Sequence, residues 1–190
     1  MGVKLAAASG GSIELVPTNT ASNFTVTVPA VTATMLTTVT AGVPINGPAF
    51  RAYLPTVNQS ITAGVNTKVA LSAETFDTNN NFDSTTNYRF TPTVAGYYFV
   101  HGIIFHSANG TRPSAAQTMI YKNGVIAASS VLNISTANQL VVSVEVSSMF
   151  SMNGSTDYLE LYGSQTGGSS NIFGLGETVT FFEACLVRSA

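Results

Sequence analysis

Charge is scarce in this 190-residue chain. Lys, Arg, Asp and Glu make up 8% of it, against about a quarter of an average soluble protein. Its polar surface must therefore be built mostly from Thr, Ser, Asn and Gln. That favours β-structure in a particle, fibre or extracellular setting over a cytosolic enzyme. The basic residues are scattered singly and the net charge is −2, so there is no electrostatic footprint for nucleic acid. Cysteine is almost absent too. Cys185 stands alone, which excludes an intramolecular disulfide and a cysteine zinc cluster. Lying in an apolar strand, it is expected to be a small buried hydrophobe. No apolar run reaches the roughly 18 residues of a membrane span. The opening MGVKLAAASGG holds too short an apolar stretch for a persuasive signal peptide. A sustained helical period is missing as well.

What remains is a strand pattern. At 45% hydrophobic the chain can bury a sizeable core, which excludes disorder. Strand signals recur at 50–54, 67–71, 88–91, 97–106, 117–122, 125–132, 139–152, 157–164 and 178–187, with turn signals between them. Residues 139–152 alternate cleanly, placing Leu140, Val142, Val144, Val146, Phe150 and Met152 inward. Asn123-Gly124 and Asn153-Gly154 lie between strand-like runs and read as hairpins, because both positions accept positive φ. Residues 97–106 are apolar on both faces, so that strand needs cover on both. Many short antiparallel strands predict an all-β antiparallel jelly-roll sandwich.

The first 46 residues differ. In the first fifty residues the only charges are Lys4 and Glu14. Residues 12–16 and 23–28 read as strands and 31–39 as a third, followed by a Gly/Pro-rich linker. Such a segment is too short and too uniform to form its own core. The predicted organisation is a β-rich arm, 1–46, and a jelly-roll domain, 47–190.

Order and spacing in the second part carry a likeness. Phe90, Gly96 and Tyr98 resemble the centre of the C1q/tumour-necrosis-factor-like family, where a Phe strand turns through Gly into an aromatic strand. Phe50-Arg51-Ala52 resembles its opening strand, and Lys122-Asn123-Gly124 a following hairpin. Residues 153–161 resemble its Gly-Asp-hydrophobic hairpin, and Phe182 to Leu186 its closing strand. Val100 and Gly102 stand where that family has aromatics, and Ser155-Thr156 intervenes before Asp157. The resemblance implies three jelly rolls around a three-fold axis, with Phe50, Tyr88, Phe90, Tyr98 and Phe182 in the core or the trimer interface. The collagen-like stalk of many such proteins is absent. The GGSIELVPTNTASNFTVTVPA segment resembles tailed-phage fibre and virion proteins more loosely.

Catalytic and metal motifs fit poorly. Asp77, Asn79, Asn81 and Asp83 alternate like the start of a calcium loop, but Phe82 and Tyr88 replace the required Gly and Glu. His101 and His106 are five apart and face opposite ways, so they cannot pair on one metal within a subunit; each is expected to be a hydrogen-bonded buried or interface histidine, the alternative being an ion or anion held jointly at a three-fold axis. No Gly-x-Ser-x-Gly elbow exists. Glu145 and Glu160 lie on strands read as hairpin neighbours, so they can approach each other, but two solvated surface groups are expected rather than a glycosidase pair. No catalytic centre, cofactor or metal is expected. The reading is a non-enzymatic virion structural protein on the virion surface: a trimeric phage head-fibre, decoration or tail-fibre protein. Residues 1–46 contact other virion proteins. An outward head binds a host glycan or surface protein through loops bearing Asn109, Arg112, Gln165 and Asn171. The alternative is a free secreted or bacterial-surface ligand-binding module of the same fold.

Overall fold

The computed structural model describes residues 3–6, 12–15, 47–108, 113–135, 140–167 and 170–190. The chain divides into two units, Met1–Pro44 and Ile45–Ala190. In the first, β1 (Val3–Ala6) pairs antiparallel with β2 (Ser12–Leu15), Val3 opposite Leu15 and Ala6 opposite Ser12. The expected strand at 12–16 thus has a partner that the sequence reading did not anticipate. The expected strands at 23–28 and 31–39 lie outside the described residues.

The second unit is all-β. Its strands are β3 (Ala49–Tyr53), β4 (Gln59–Ile61), β5 (Thr67–Lys68), β6 (Ala73–Asp77), β7 (Phe82–Asp83), β8 (Arg89–Phe90), β9 (Gly96–Ala108), β10 (Ala115–Lys122), β11 (Val125–Asn133), β12 (Val141–Met152), β13 (Leu159–Thr166), β14 (Ser170–Ile172) and β15 (Phe181–Ser189). They form two antiparallel sheets. The front sheet runs β4-β14-β9-β15-β3-β6, with β12 on the other side of β9. The back sheet runs β11-β10-β13-β8-β7, and β5 also pairs with β13. This is a jelly-roll sandwich.

β9 organises the front sheet. It pairs along one edge with β12 over its length, and along the other with β15 and then β14. Successive side chains alternate between faces. Tyr98, Val100, Gly102, Ile104 and His106 point into the sandwich; Tyr97 and Phe99 face outward, with His101, Ile103 and Phe105 partly covered. Gly102 is explained by the opposite sheet: a Cβ there would overlap the Leu161 methyl. A larger residue would push the sheets apart.

An aromatic cluster closes the core. Phe50 stacks on Phe90 (4.4 Å between centroids) and Phe82 (4.8 Å), and meets Phe182 edge-on. Phe90 meets Tyr98 edge-on. Phe50, Phe90, Tyr98 and Phe182 are fully buried. The Tyr98 hydroxyl donates to the Val94 carbonyl at 2.7 Å, which satisfies its polar end inside an apolar site.

Some sequence expectations change. Asn123-Gly124 is the expected hairpin, with φ of +53° and +80° joining β10 to β11. Asn153-Gly154 is not a hairpin within one sheet, since β12 lies in the front sheet and β13 in the back. The Asn153 carboxamide oxygen instead accepts from the N–H groups of Ser155, Thr156 and Asp157, turning the chain between layers. Leu140, expected inward, is 41% exposed because β12 begins one residue later. Cys185, expected buried, is exposed. β15 sends Phe182 and Ala184 inward, which puts Phe181, Glu183 and Cys185 on the outer face.

Candidate functional site

The outer face of the front sheet combines apolar surface with a charged centre. Tyr97, Phe99, Phe76, Met149 and Val187 are each about half exposed here. They come from β9, β6, β12 and β15, brought side by side by the sheet register. Cys185 lies opposite Phe99, and with Ala49 and Phe76 the pair rims a small apolar dimple. Within this surface His101 stands between two carboxylates. Its Nδ1 is 3.1 Å from Glu183, and its Nε2 is 3.7 Å from Glu145. Glu183 also holds the Arg51 guanidinium, which lies 3.7 Å over the Phe181 ring.

The second histidine is the opposite case. His106 is 1% exposed between the sheets, where burial lowers its pKa to about 4. Its Nε2 lies 3.5 Å from the Thr118 hydroxyl, and Nδ1 has no partner. Thr118 in turn donates to the Val144 carbonyl at 2.8 Å. The two histidines thus face opposite ways, as their spacing predicts, with one inside and one on the outer surface.

The remaining site residues are dispersed. Tyr88 is half-buried with φ of +49°, an uncommon conformation for a bulky side chain, and it stands outside the fully buried cluster. Gln165 was expected on a binding loop; instead it lies in β13 and is 1% exposed. The strand continues past the polar residues because β10 pairs alongside, Ala116 opposite Gln165. Asn171 is in β14, half-buried, where it accepts from the Ser60 hydroxyl at 3.0 Å. Asn109 and Arg112 lie outside the described residues.

The calcium-like stretch spends its oxygens on its own turn. Asp77 accepts from the N–H groups of Asn79 and Phe82. Asp83 accepts from Thr85, Thr86 and Asn87, and those bonds hold its carboxyl well below the usual carboxylate range. Glu145 and Glu160 do not approach each other. Glu145 sits on the outer face of the front sheet and Glu160 on the back sheet, buried and paired with Lys68 at 2.7 Å. A hairpin at 153–154 would set them side by side; the crossing of the chain between layers separates them. Among the described residues no group of three His, Cys, Asp or Glu could hold a metal, and no helix is long and apolar enough to cross a membrane.

With this geometry in place, solved structures of the same architecture can be compared. The chain resembles murine APRIL, with 9% identity, TM-score 0.56, and coverage of 75% of this chain and all of that one. It also resembles Eiger TNF from S. frugiperda, with 8% identity, TM-score 0.52, and coverage of 76% and 96%. At these identities the likeness is one of fold. The chain has an all-β jelly roll like that of these two structures. No protein-family profile and no curated protein sequence matches it.

Proposed function

We propose that this protein is a non-enzymatic structural component of a virus particle, trimeric, with an outward head that binds a host surface. It would serve as a phage head fibre, capsid decoration or tail-fibre protein. The observation that carries the trimer is the apolar outer face of the front sheet. Water is a poor solvent for Phe99, Phe76, Met149 and Val187, and copies of the chain packed around an axis would cover them. The charged centre, Arg51, Glu183, His101 and Glu145, would fix the orientation of the packing, because like charges facing across it are penalised. The virion reading draws further support from the low charge of the chain and the fibre-like N-terminal segment.

Phe99→Glu is expected to place unpaired charge in that interface. Light scattering at micromolar concentration should give three times the 19.8 kDa chain mass for the parent and the single-chain mass for the variant. A parent that scatters as one chain would remove the trimer.

The arm is proposed to attach and the head to face outward. Deleting residues 1–46 should leave a soluble trimer that no longer enters particles. Wild-type occupancy by the truncated chain would mean that the arm is not the anchor. The second reading, a free secreted or bacterial-surface module, would be favoured if purified particles contain none of this protein.

A further inference from the structure

A polar-rimmed cleft lies apart from the apolar outer face of the front sheet. It has a volume of about 520 Å³ and opens where the chain passes from β6 through β7 to β8. Its lining runs over residues 74–93 and presents about as much apolar as polar surface: Phe82 contributes to it, and Asn80, Ser84, Thr91, Glu74 and Arg89 supply polar groups.

The chemistry of the lining selects among ligand classes. Asp83 accepts five hydrogen bonds from Thr85, Thr86 and Asn87, so it is committed to its turn. Asn81 is similarly engaged, its carboxamide oxygen accepting from the Thr93 N–H and hydroxyl. Those two groups build the wall. Glu74 and Arg89 make no ion pair among the described residues. Arg89 instead rests 4.6 Å over the Tyr158 ring, which fixes its stem and leaves guanidinium N–H groups to donate. The wall is also held in unusual backbone: Asn80 and Tyr88, on either side of the Asp83 turn, have φ of +53° and +49°.

A carboxylate accepts from two neighbouring hydroxyls, a guanidinium donates to ring and glycosidic oxygens, and amides do both. One cation against two carboxylates gives an anion such as phosphate no net attraction, whereas a sugar offers hydroxyls to the polar groups of this mixed lining and C–H faces to its apolar part. We infer that this cleft binds a neutral, hydroxyl-rich oligosaccharide, with Glu74 and Arg89 as its two recognition groups. The inference rests on the host-surface reading for its biological sense and names a different part of the head as the contact.

The test uses the full chain and a panel of neutral gluco-, galacto-, manno- and N-acetylglucosamine oligomers, with uronic-acid oligomers and inorganic phosphate beside them. Titration followed by amide NMR should shift resonances in residues 74–93 with at least one neutral oligomer. Glu74→Gln and Arg89→Ala should each weaken that binding about tenfold or more, because a partner hydroxyl is left unpaired. Unchanged circular dichroism and unchanged assembly mass would show that both variants fold. Three results would overturn the assignment: no neutral oligomer binding at millimolar concentration, binding only by the acidic probes, or shifts confined to residues 107–116 and 164–171. The last would leave the host-surface reading standing while removing the cleft. Loss of particle incorporation on deleting residues 1–46 tests the virion reading independently of any sugar.

Discussion

Replacing Phe50 with alanine is expected to remove about 3–5 kcal/mol of stability, a large share of the roughly 5–15 kcal/mol that keeps an ordinary domain folded. The ring is fully buried and touches three other aromatic rings, two stacked and one edge-on. Each such pair is worth about 0.5–1.5 kcal/mol beyond the area it buries. The partners come from both sheets: Phe182 from the front, Phe82 and Phe90 from the back. The truncation therefore opens a cavity at the seam of the sandwich. Urea unfolding at fixed protein concentration measures the loss, since assembly makes apparent stability concentration-dependent. Phe50→Leu keeps most of the volume and should lose markedly less. A loss below about 1.5 kcal/mol for alanine, the usual range of a tolerated core swap, would mean that the cluster does not hold the layers together.

The second large effect is a dependence on pH. In the unfolded chain an imidazole binds its proton near pH 6.5, whereas His106 in the fold does so only near pH 4. Between those values the unfolded state binds more protons, so stability falls as the solution is acidified. The stabilisation is fully present above pH 6.5, is lost progressively toward pH 4, and changes no further below that. Burial is the cause, and the full difference amounts to about 3 kcal/mol. Asp83 and Asp157 act in a separate window. Their carboxyls are held below the ordinary value of 3.8, so their contribution is present above that pH and is lost beneath it. His106→Leu should flatten the curve between pH 6.5 and 4 while leaving the steeper loss at lower pH. A parent whose unfolding midpoint is constant from pH 7 to pH 4.5 would contradict the buried neutral imidazole.

The long strands were legible because their chemistry is periodic. The inner face of β9, the alternation of β12 and the Asn123-Gly124 turn each follow from local rules. The short strands β4, β7 and β14 were not, since two or three residues hold no period; they exist because a longer neighbour offers free backbone groups. Composition misled at Cys185: its strand is apolar, yet with Phe182 inward the alternation puts Cys185, three residues on, on the outer face. Gln165 failed similarly, because a polar residue beside Gly and Ser resembles a loop until β10 is seen to continue alongside it. The cleft lies beyond sequence reading for another reason. Its Asn, Ser and Thr residues look like any turn, and Glu74 joins Arg89 only after β6 and β8 have been placed in different sheets.

The position of β15 also bears on how the chain comes to be folded. This strand sits inside the front sheet between β9 and β3, with residue 182 opposite residues 52 and 102. A ribosome delivers β3 early and β15 after all the other strands. Until then β3 and β9 lack the strand that joins them, and the front sheet stands open between them. Domains dominated by such distant pairings fold slowly, on the scale of milliseconds to seconds. The jelly roll must therefore close after synthesis of this segment rather than during it. In that interval the unfinished sheet exposes free strand edges, the surfaces through which incompletely folded chains aggregate.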